Sequence, residues 1–471
     1  MSFDEHSLIG YVTRQRWYGA KSRTVAHAQM LDSVVLRTTE PQFALALVEM
    51  RYDSGAHDIY QLLYALRDGV LEIEALDEPQ LARELVSAMR SGLTLQGAEG
   101  IVEFRPVEGF AGLGRELANA RSVGAEQSNT SVVFDDELIL KVFRRLEAGI
   151  NPELEMLRFL TEHGFENIAP LGGWYAYSGG PTGATLGILQ QFVAGGIDGW
   201  GLALEEIAND PDAFLARLER LGEVTGAMHS ALASDDTDPA FAPESPSVEA
   251  LALLTATVDE EIERVFLTLP EDDERIAPIL GRGEEVRDQL RLLTHAGSTG
   301  KSIRTHGDYH LGQTLWVNSR LEAPSAEPTA PGRRSRAPAA PGGGDWVIID
   351  FEGEPARSLA ERRRKRSPLR DVAGMLRSFA YATIAASHVH GTEAPDGWEE
   401  QARRSFLDGY LETVDPALLP SGQVAIDRLL SVYELEKAVY ELQYELDNRP
   451  DWVGIPAAGI SRLIDQAATT S

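Results

Sequence analysis

The stretch His306-Gly307-Asp308-Tyr309-His310-Leu311-Gly312-Gln313 decides how the rest of the chain is interpreted. Short runs on either side of it, residues 302–305 and 314–317, are typical of strands. A later apolar run, residues 346–349, ends on Asp350-Phe351-Glu352-Gly353. An acid on a tight loop, an amide further along and an acid at a strand end offer an acceptor for a hydroxyl proton and oxygen ligands for Mg²⁺ beside phosphates.

The composition is that of an acidic globular protein. Its 471 residues are enough for two or three lobes. There are 73 acidic and 43 basic residues, a net charge of −30, which argues against nucleic acid or an anionic membrane as a partner. Any phosphate ligand therefore needs a local basic site.

The chain contains no cysteine, which excludes disulfides, thiolate metal sites and cysteine nucleophiles and favours a cytoplasmic location. Its first residues lack a basic region followed by an apolar one, and no apolar run is long enough to cross a bilayer. Neither a signal peptide nor a membrane span is expected.

The pattern predicts an N-terminal cap over residues 1–97 and an α/β region over residues 98–200. In the cap, Arg16-Trp17-Tyr18 is interpreted as an aromatic anchor beneath a sheet. Strand-like and helical patterns follow it in this order: strands near 33–39, 43–51, 58–66 and 70–75, and a helix over 79–89. In the α/β region the patterns are: strands over 101–107, 131–134, 137–143, 174–177 and 184–193, a polar turn over 127–130, and a helix opened by Asn151 and Pro152.

Residues 201–471 are predicted to be mainly helical around the hairpin of the opening stretch. The amphipathic patterns cover 211–232, 247–268, 283–294, 367–389, 398–413 and 424–447. Residues 319–344 are rich in Pro, Ala, Ser, Gly and Arg, and this composition predicts a disordered excursion from the hairpin tip. Gln313 and Asp350 are therefore expected to be neighbours across a short hairpin.

Lys141 lies in the apolar strand pattern Leu138-Ile139-Leu140-Lys141-Val142-Phe143, and the next helix carries Glu153 and Glu155. A strand lysine paired with a glutamate of the following helix grips phosphates in kinases. Taken singly, Lys141 is explained as a solvated strand residue and the two glutamates as ordinary first-turn acids. Taken in order with Asp308, Gln313 and Asp350, they are a much more specific signal.

The order of these motifs resembles the aminoglycoside phosphotransferase-like kinases, which are relatives of the eukaryotic protein kinases, and within them the bacterial maltokinases. The segments that carry the resemblance are Gln15–Gly19, Ile150–Glu155, His306–Gln313, Asp350–Pro355, Arg366–Ser378, and Ala438–Leu442 with Asn448–Trp452. They span nearly the whole chain, and only residues 319–344 are foreign to the family. Ala457-Ala458 after Ile455-Pro456 departs from the family's usual Leu-Arg.

The resemblance implies an α+β, bilobal protein-kinase-like fold with an N-terminal cap subdomain and a mostly helical C-lobe. It implies ATP and Mg²⁺ as cofactors and a sugar acceptor, with maltose phosphorylated at its anomeric hydroxyl to feed α-glucan synthesis. A complex with trehalose synthase is a further expectation. Another free sugar, particularly glucosamine, and an inactive kinase-like scaffold are the alternatives.

Carried over by position, the resemblance makes Asp308 the catalytic base. It makes Lys141 the residue that grips the ATP phosphates, held by a helix glutamate, with Glu155 preferred to Glu153. The remaining expected ATP contacts are a phosphate-binding turn, Ser128, Asn129 and Thr130, and a hinge, Gln191, Phe192 and Val193. The expected metal ligands are Gln313, Asp350 and Glu352, and the expected substrate residues are His310, Tyr444, Glu445, Asp447, Arg449 and Trp452. On the residues alone, His306 and His310 are better explained as loop-fixing hydrogen-bonders, and Trp452 equally as a core aromatic.

Overall fold

The computed structural model describes residues 4–67, 70–72, 74–123, 129–179, 183–270, 272–291, 300–318, 343–354 and 357–470. These residues form two compact units, the first ending at Gly195 and the second beginning at Gly196. The predicted cap and residues 98–195 of the predicted α/β region lie in the first unit, so a division near residue 97 stays an interpretation. Ser128 and residues 319–342 of the predicted insertion lie outside the described residues.

The first unit is built on antiparallel sheets. Its elements are α1 (Glu5–Val12), β1 (Val25–Arg37), β2 (Gln42–Tyr52), β3 (His57–Arg67), β4 (Val70–Glu72), α2 (Ala82–Ser91), β5 (Thr94–Gln96), β6 (Gly100–Pro106), β7 (Ala120–Val123), β8 (Asn129–Phe134), β9 (Leu138–Phe143), β10 (Arg145–Leu146), α3 (Pro152–Glu162), β11 (Leu171–Gly179) and β12 (Ala184–Gln191). One sheet has the order β1-β2-β3-β10, with β4 beside β3, and the other has the order β5-β6-β11-β12-β9-β8-β7.

Two local predictions for this unit need correction. The helix expected from residue 79 starts with a 3-10 turn, Pro79–Leu81, before α2. The polar turn expected over residues 127–130 is wrong for Asn129 and Thr130, which begin β8 and pair with Phe143 and Val142. The Thr-Ser-Val-Val sequence that follows Asn129 favours an extended strand once β9 is available as a partner.

The cap core is formed by alternate residues of β2 and β3, which point to the same face. Trp17 and Tyr18 are buried against this face, with ring centroids 5.6 and 5.7 Å from that of Tyr60. The guanidinium of Arg144 lies 5.4 Å from the Trp17 ring. The aromatic anchor predicted from the sequence is therefore present.

Two buried polar side chains tie the two sheets of the first unit together. The Gln61 amide donates to the carbonyl oxygens of Phe143 and Leu186, both at 2.8 Å, and accepts from the Tyr175 hydroxyl at 2.9 Å. Asp32 on β1 accepts from the backbone amides of the β5–β6 turn and from the Tyr177 hydroxyl at 2.9 Å. The pKa of Asp32 is lowered because these bonds outweigh the opposing effect of burial.

The second unit is mainly helical, as predicted. Its elements are β13 (Ile197–Asp198), α4 (Gly199–Asn209), α5 (Pro211–Leu232), α6 (Val248–Leu267), α7 (Gly283–Arg291), β14 (Thr314–Val317), β15 (Asp345–Ile348), α8 (Leu359–Arg362), α9 (Leu369–His390), α10 (Trp398–Thr413), α11 (Gln423–Asn448) and α12 (Gly454–Thr470). The six predicted amphipathic helices are α5, α6, α7, α9, α10 and α11, and their ends agree within a few residues over the described part of the chain.

Close helix packing explains two glycines of this unit. A Cβ on Gly222 of α5 would lie 2.0 Å from the Phe406 carbonyl oxygen, and one on Gly409 of α10 would lie 2.0 Å from that of Glu219. Only glycine allows these two helices to approach so closely. Helix α9 is buried along most of its length. Its side chains can therefore form hydrogen bonds to the loops that pack on it.

Candidate active site

Lys141 and Glu153 form a buried ion pair in the first unit. β9 carries Lys141, and α3 begins beside it with the Asn151 side chain accepting from the Glu153 amide at 2.8 Å. Lys141 Nζ lies 2.8 Å from Glu153 Oε2, and the two side chains are 13% and 3% exposed. Glu155, which the resemblance favoured, is buried in the same helical turn, and its role stays a prediction. Because α3 begins at Pro152, the first glutamate of the helix reaches the lysine.

The expected adenine and phosphate contacts are only partly described. In the predicted hinge, the amides of Gln191 and Phe192 donate to Pro170 O at 3.0 Å and Glu137 O at 2.7 Å. Of the three hinge amides, that of Val193 has no backbone acceptor within the described residues and could therefore meet a ligand. In the predicted phosphate turn, Thr130 Oγ1 accepts from Arg144 Nε at 2.8 Å.

In the second unit, Asp371 of α9 fixes the loop that carries Asp308. Its two carboxylate oxygens accept from the backbone amides of His306 at 2.7 Å and Gly307 at 3.0 Å. A second buried side chain, His229, contacts Asp371 Oδ2 through Nε2 at 3.2 Å. Burial would raise the pKa of Asp371, but the His229 hydrogen bond and the other charges lower it overall. The loop thus rests on an ionised, fully bonded carboxylate.

His306 has the structural role expected from the sequence. Its Nε2 lies 2.9 Å from the Ile349 carbonyl oxygen, and its Nδ1 accepts from the Asp308 amide at 3.4 Å. Both ring nitrogens are therefore used to join the loop to the segment that ends β15. Its side chain is not free to act as a base.

Asp308 is held by a lysine from a distant helix. Lys437 of α11 places Nζ 3.3 Å from Asp308 Oδ1 and 3.0 Å from Glu354 Oε1. Burial alone would lower the pKa of Lys437, but the two carboxylates raise it well above its ordinary value. The pKa of Glu354, which burial would raise, is instead lowered to about 2 by Lys437 and Arg357. The Lys437 ammonium thus orients the Asp308 carboxylate.

Gln313 and Asp350 are neighbours, as the short-hairpin prediction requires. β14 and β15 pair with Thr314 opposite Ile348, and Gln313 Nε2 lies 3.0 Å from Asp350 Oδ2. Asp350 has a positive φ of 63°, which is rare outside glycine and typical of ligand sites. In this contact the amide nitrogen donates to the carboxylate. The Gln313 amide oxygen and the Asp350 carboxylate are the kind of hard donors that Mg²⁺ prefers, so these two residues fit the ion. Glu352 is half-buried two residues further on.

His310 lies beside the same carboxylate. Its Nδ1 accepts from the Gly312 amide at 3.1 Å, which caps the 3-10 turn Leu311–Gln313. Its Nε2 lies 4.0 Å from Asp308 Oδ2. Burial lowers the pKa of His310, although Asp308 opposes this shift. His310 therefore has a structural bond on one nitrogen and an open donor on the other.

The expected substrate residues at the end of α11 cluster around Arg449. Its guanidinium lies 5.4 Å from the Tyr444 ring and 5.5 Å from the Trp452 ring, and its Nη2 lies 2.6 Å from Glu445 Oε1. Glu445 Oε2 is buried without a hydrogen-bond partner in the described residues, and burial raises the pKa of this carboxyl. Asp447 accepts from Gln443 on the exposed side.

Sequence reasoning missed Lys437. A signal was present, because Lys437, Glu441 and Glu445 follow one another at intervals of four along a helix and so share one face. In the structure this is the face that packs on α9, where Arg377 donates to Glu441 at 2.8 Å and the Tyr381 hydroxyl to Glu445 at 3.2 Å. Charged residues repeated on a packed helix face could have identified it.

Comparisons with known families define the class of this protein. Residues 11–92 match the maltokinase N-terminal cap domain, and residues 119–323 match the phosphotransferase enzyme family that contains the aminoglycoside phosphotransferases. The chain therefore contains a domain of this phosphotransferase family, preceded by a maltokinase-type cap. The predicted family and the kinase-like α+β fold, with an N-terminal cap and a largely helical C-terminal region, are confirmed.

Individual proteins that match the chain include glucosamine kinases. A glucosamine kinase of Streptacidiphilus jiangxiensis is 26% identical over 402 residues, which cover 82% of this chain and 81% of the relative. A glucosamine kinase of Mycolicibacterium smegmatis is 27% identical over 74% of this chain and 81% of the relative. The solved structure of a glucosamine kinase with glucosamine, ADP and inorganic phosphate superposes with a TM-score of 0.69 at 20% identity, over 98% of this chain and 100% of that one.

None of the helices in the described residues is long and apolar enough to span a membrane.

Proposed function

We propose that this phosphotransferase moves the γ-phosphoryl group of ATP to a hydroxyl group of a free sugar. The names of the relatives support a sugar acceptor, and the solved relative contains ADP. Within the chain, the proposal rests on two observations. Asp308 is a carboxylate oriented by Lys437 on a loop fixed by Asp371, and the same loop leads to Gln313, which is hydrogen-bonded to Asp350.

In the proposed reaction the acceptor hydroxyl donates its proton to Asp308 as its oxygen bonds to the γ-phosphorus. The bond from that phosphorus to the bridging oxygen breaks, and ADP leaves. Gln313 and Asp350 would hold Mg²⁺, which when bound neutralises phosphate charge. Lys141, oriented by Glu153, would bind the ATP phosphates, and the Val193 amide would meet adenine. The main contribution of the protein is positioning and charge, as phosphoryl transfer requires.

We propose maltose, phosphorylated at its anomeric hydroxyl, as the acceptor. The supporting observation is that the carboxylates on the packed side of α11 already have their own cations. A charged amino sugar would have to displace one of them, whereas a neutral sugar needs only hydrogen bonds. The pairs are Glu434 with Arg403, Glu436 with Arg370, Glu441 with Arg377 and Glu445 with Arg449. The free Glu445 Oε2 and the Arg449 aromatic cluster are suited to hydroxyl groups and a sugar ring.

Glucosamine is the second candidate, because both named relatives are glucosamine kinases. Purified protein with ATP and Mg²⁺ should be assayed for ADP release with maltose, glucosamine, glucose and trehalose at equal concentrations. ³¹P NMR of the product distinguishes an anomeric phosphate from a 6-phosphate. Maltose turnover to an anomeric phosphate supports the first proposal, and a preference for glucosamine would replace it. Loss of ATP use with every sugar would favour the inactive scaffold.

The remaining expectations are also proposals. Maltose 1-phosphate would feed α-glucan synthesis in the cytoplasm, and a trehalose synthase would supply maltose from trehalose. Co-purification with a trehalose synthase, measured by size-exclusion chromatography of the mixed proteins, tests the proposed complex. Separate elution of the two proteins at micromolar concentration would argue against it.

A further inference from the structure

The second unit contains an open, basic pocket that the proposed reaction does not use as a whole. Its open volume, which includes solvent space, is about 760 Å³, and its walls come from residues 353–354 and 357–366, the start of α9 and one face of α11. The cations that line it are Arg357, Arg362, Arg364, Arg366, Arg370 and Lys437. In a chain of net charge −30, such a cluster of cations calls for an explanation: either neighbouring carboxylates balance its charge or it binds an anionic ligand.

Most carboxylates in the wall of the pocket already form ion pairs or hydrogen bonds within the protein. Glu354 is shared by Lys437 and Arg357, and Glu436 is bound by both terminal nitrogens of Arg370 at 2.8 and 2.7 Å. Asp371 is occupied by the loop amides described above, and Glu361 caps α8 through Ser358. Glu261 is the fifth carboxylate of the lining, so the six cations exceed the carboxylates by one.

Among the described residues, Arg366 is a half-buried lining cation that these pairs leave without a partner. Its backbone is fixed, because its amide donates to Ile303 O at 2.8 Å and its carbonyl accepts from Ile303 N at 2.9 Å. Its guanidinium is half-buried and has no hydrogen-bond or ion-pair partner within the described residues. Burial, together with the neighbouring charge of Arg370, lowers the pKa of Arg366 to about 10. A half-buried cation crowded by other cations is stabilised by an anion.

We propose that this pocket binds a phosphate dianion, either inorganic phosphate or the phosphate group of a phosphorylated sugar, with Arg366 as its main ligand. The planar guanidinium offers paired donors that match two phosphate oxygens, and the surrounding arginines supply the field. Lys437 lines the pocket and also contacts Asp308, the proposed base. A phosphate bound in the pocket would therefore lie where it can influence Asp308. The site does not depend on which sugar is the acceptor.

Calorimetric titration without nucleotide tests the site. Inorganic phosphate and glucose 1-phosphate are the two probes, and the proteins are the wild type, Arg366→Gln, Arg366→Lys and two controls. Arg428→Gln removes an exposed arginine of α11, and Lys141→Ala removes the lysine assigned to ATP. We expect the wild type to bind a probe with a Kd below about 1 mM. Arg366→Gln should weaken binding about tenfold or more, while both controls bind as the wild type does.

The Arg366→Lys variant and the comparison of the two probes test the proposed ligand of the site. Arg366→Lys keeps the charge but loses the paired donors, so its affinity should fall between those of the wild type and Arg366→Gln. Tighter binding of glucose 1-phosphate would identify a sugar phosphate as the ligand, and equal or tighter binding of inorganic phosphate would identify the free anion. Failure of the wild type to bind either probe, or equal binding by Arg366→Gln, would overturn the site. Because no turnover is measured, these results are independent of the proposed kinase reaction.

Discussion

Lys437 provides a quantitative test of the site, because the same side chain stabilises the fold through Glu354 and orients Asp308, the proposed base. The substitution Lys437→Met keeps the length and apolar stem of the side chain but removes the ammonium that contacts Asp308 and Glu354. We expect both the free energy of unfolding and the turnover number to fall.

The size of the stability loss follows from Glu354. A buried carboxyl whose pKa falls from 4.5 to about 2 stabilises the folded state by about 3 kcal/mol at neutral pH. Arg357 shares this carboxylate with Lys437, so about half of the stabilisation, about 1.5 kcal/mol, is assigned to the lysine. The lost contact with Asp308 should also lower kcat about tenfold, which corresponds to about 1.4 kcal/mol of activation free energy.

The pH dependence has a fixed sign. Because the pKa of Glu354 is lower in the folded than in the unfolded protein, its stabilisation is complete above about pH 5 and is lost as the pH falls toward 2. The difference in unfolding free energy between wild type and Lys437→Met should therefore be largest near neutral pH. It should shrink by more than half by about pH 3.

Urea unfolding followed by tryptophan fluorescence measures this difference at each pH. The matched control is Lys301→Met, which removes a lysine whose Nζ contacts only a neutral group in the described structure, Ser245 Oγ at 2.9 Å. The control should change stability by less than about 0.5 kcal/mol and leave kcat unaltered. Equal unfolding free energies for wild type and Lys437→Met, or a difference that grows as the pH falls, would refute the ion-pair reasoning.

Three further predictions address other parts of the chain. Asp32→Asn should lower the unfolding free energy by about 2–3 kcal/mol in a urea titration, because a buried acceptor of several backbone amides loses its charge; an unchanged midpoint would contradict this. Lys141→Ala should reduce kcat/KM for ATP far more than it lowers the melting temperature, whereas parallel losses would support a purely structural pair with Glu153. Deleting residues 320–344 should leave turnover largely intact, since closing a shorter connection costs little chain entropy, and a large loss would show that the segment takes part in function.

The helices of the second unit could be predicted because their apolar spacing is regular. α5, for example, begins at Pro211 and ends at Leu232, the range that the pattern indicates. The last helix, α12, was missed because Pro456 and Gly459 usually interrupt helices. Proline is tolerated in the first turn, and Gly459 leaves room for the buried Arg377 guanidinium, since a Cβ there would lie 2.2 Å from Nη1.

The site could be predicted only where its residues are close in sequence. Asp308, Gln313 and Asp350 lie on one loop and one hairpin, so spacing alone brought the last two together. Lys437 reaches Asp308 across 129 positions, and the pairing of Lys141 with Glu153 depends on how α3 begins beside β9. Such contacts are fixed by tertiary packing, and local patterns do not specify them.

The role of Asp308 is tested by Asp308→Asn, which keeps the size of the side chain but removes the proton acceptor. Single-turnover transfer from labelled ATP to the preferred sugar is measured beside equilibrium binding of ATP. If Asp308 is the base, the transfer rate should fall by about 10²–10⁴-fold while ATP affinity stays within about twofold. Transfer at the wild-type rate would show that Asp308 is not the base and that the site has been assigned to the wrong carboxylate.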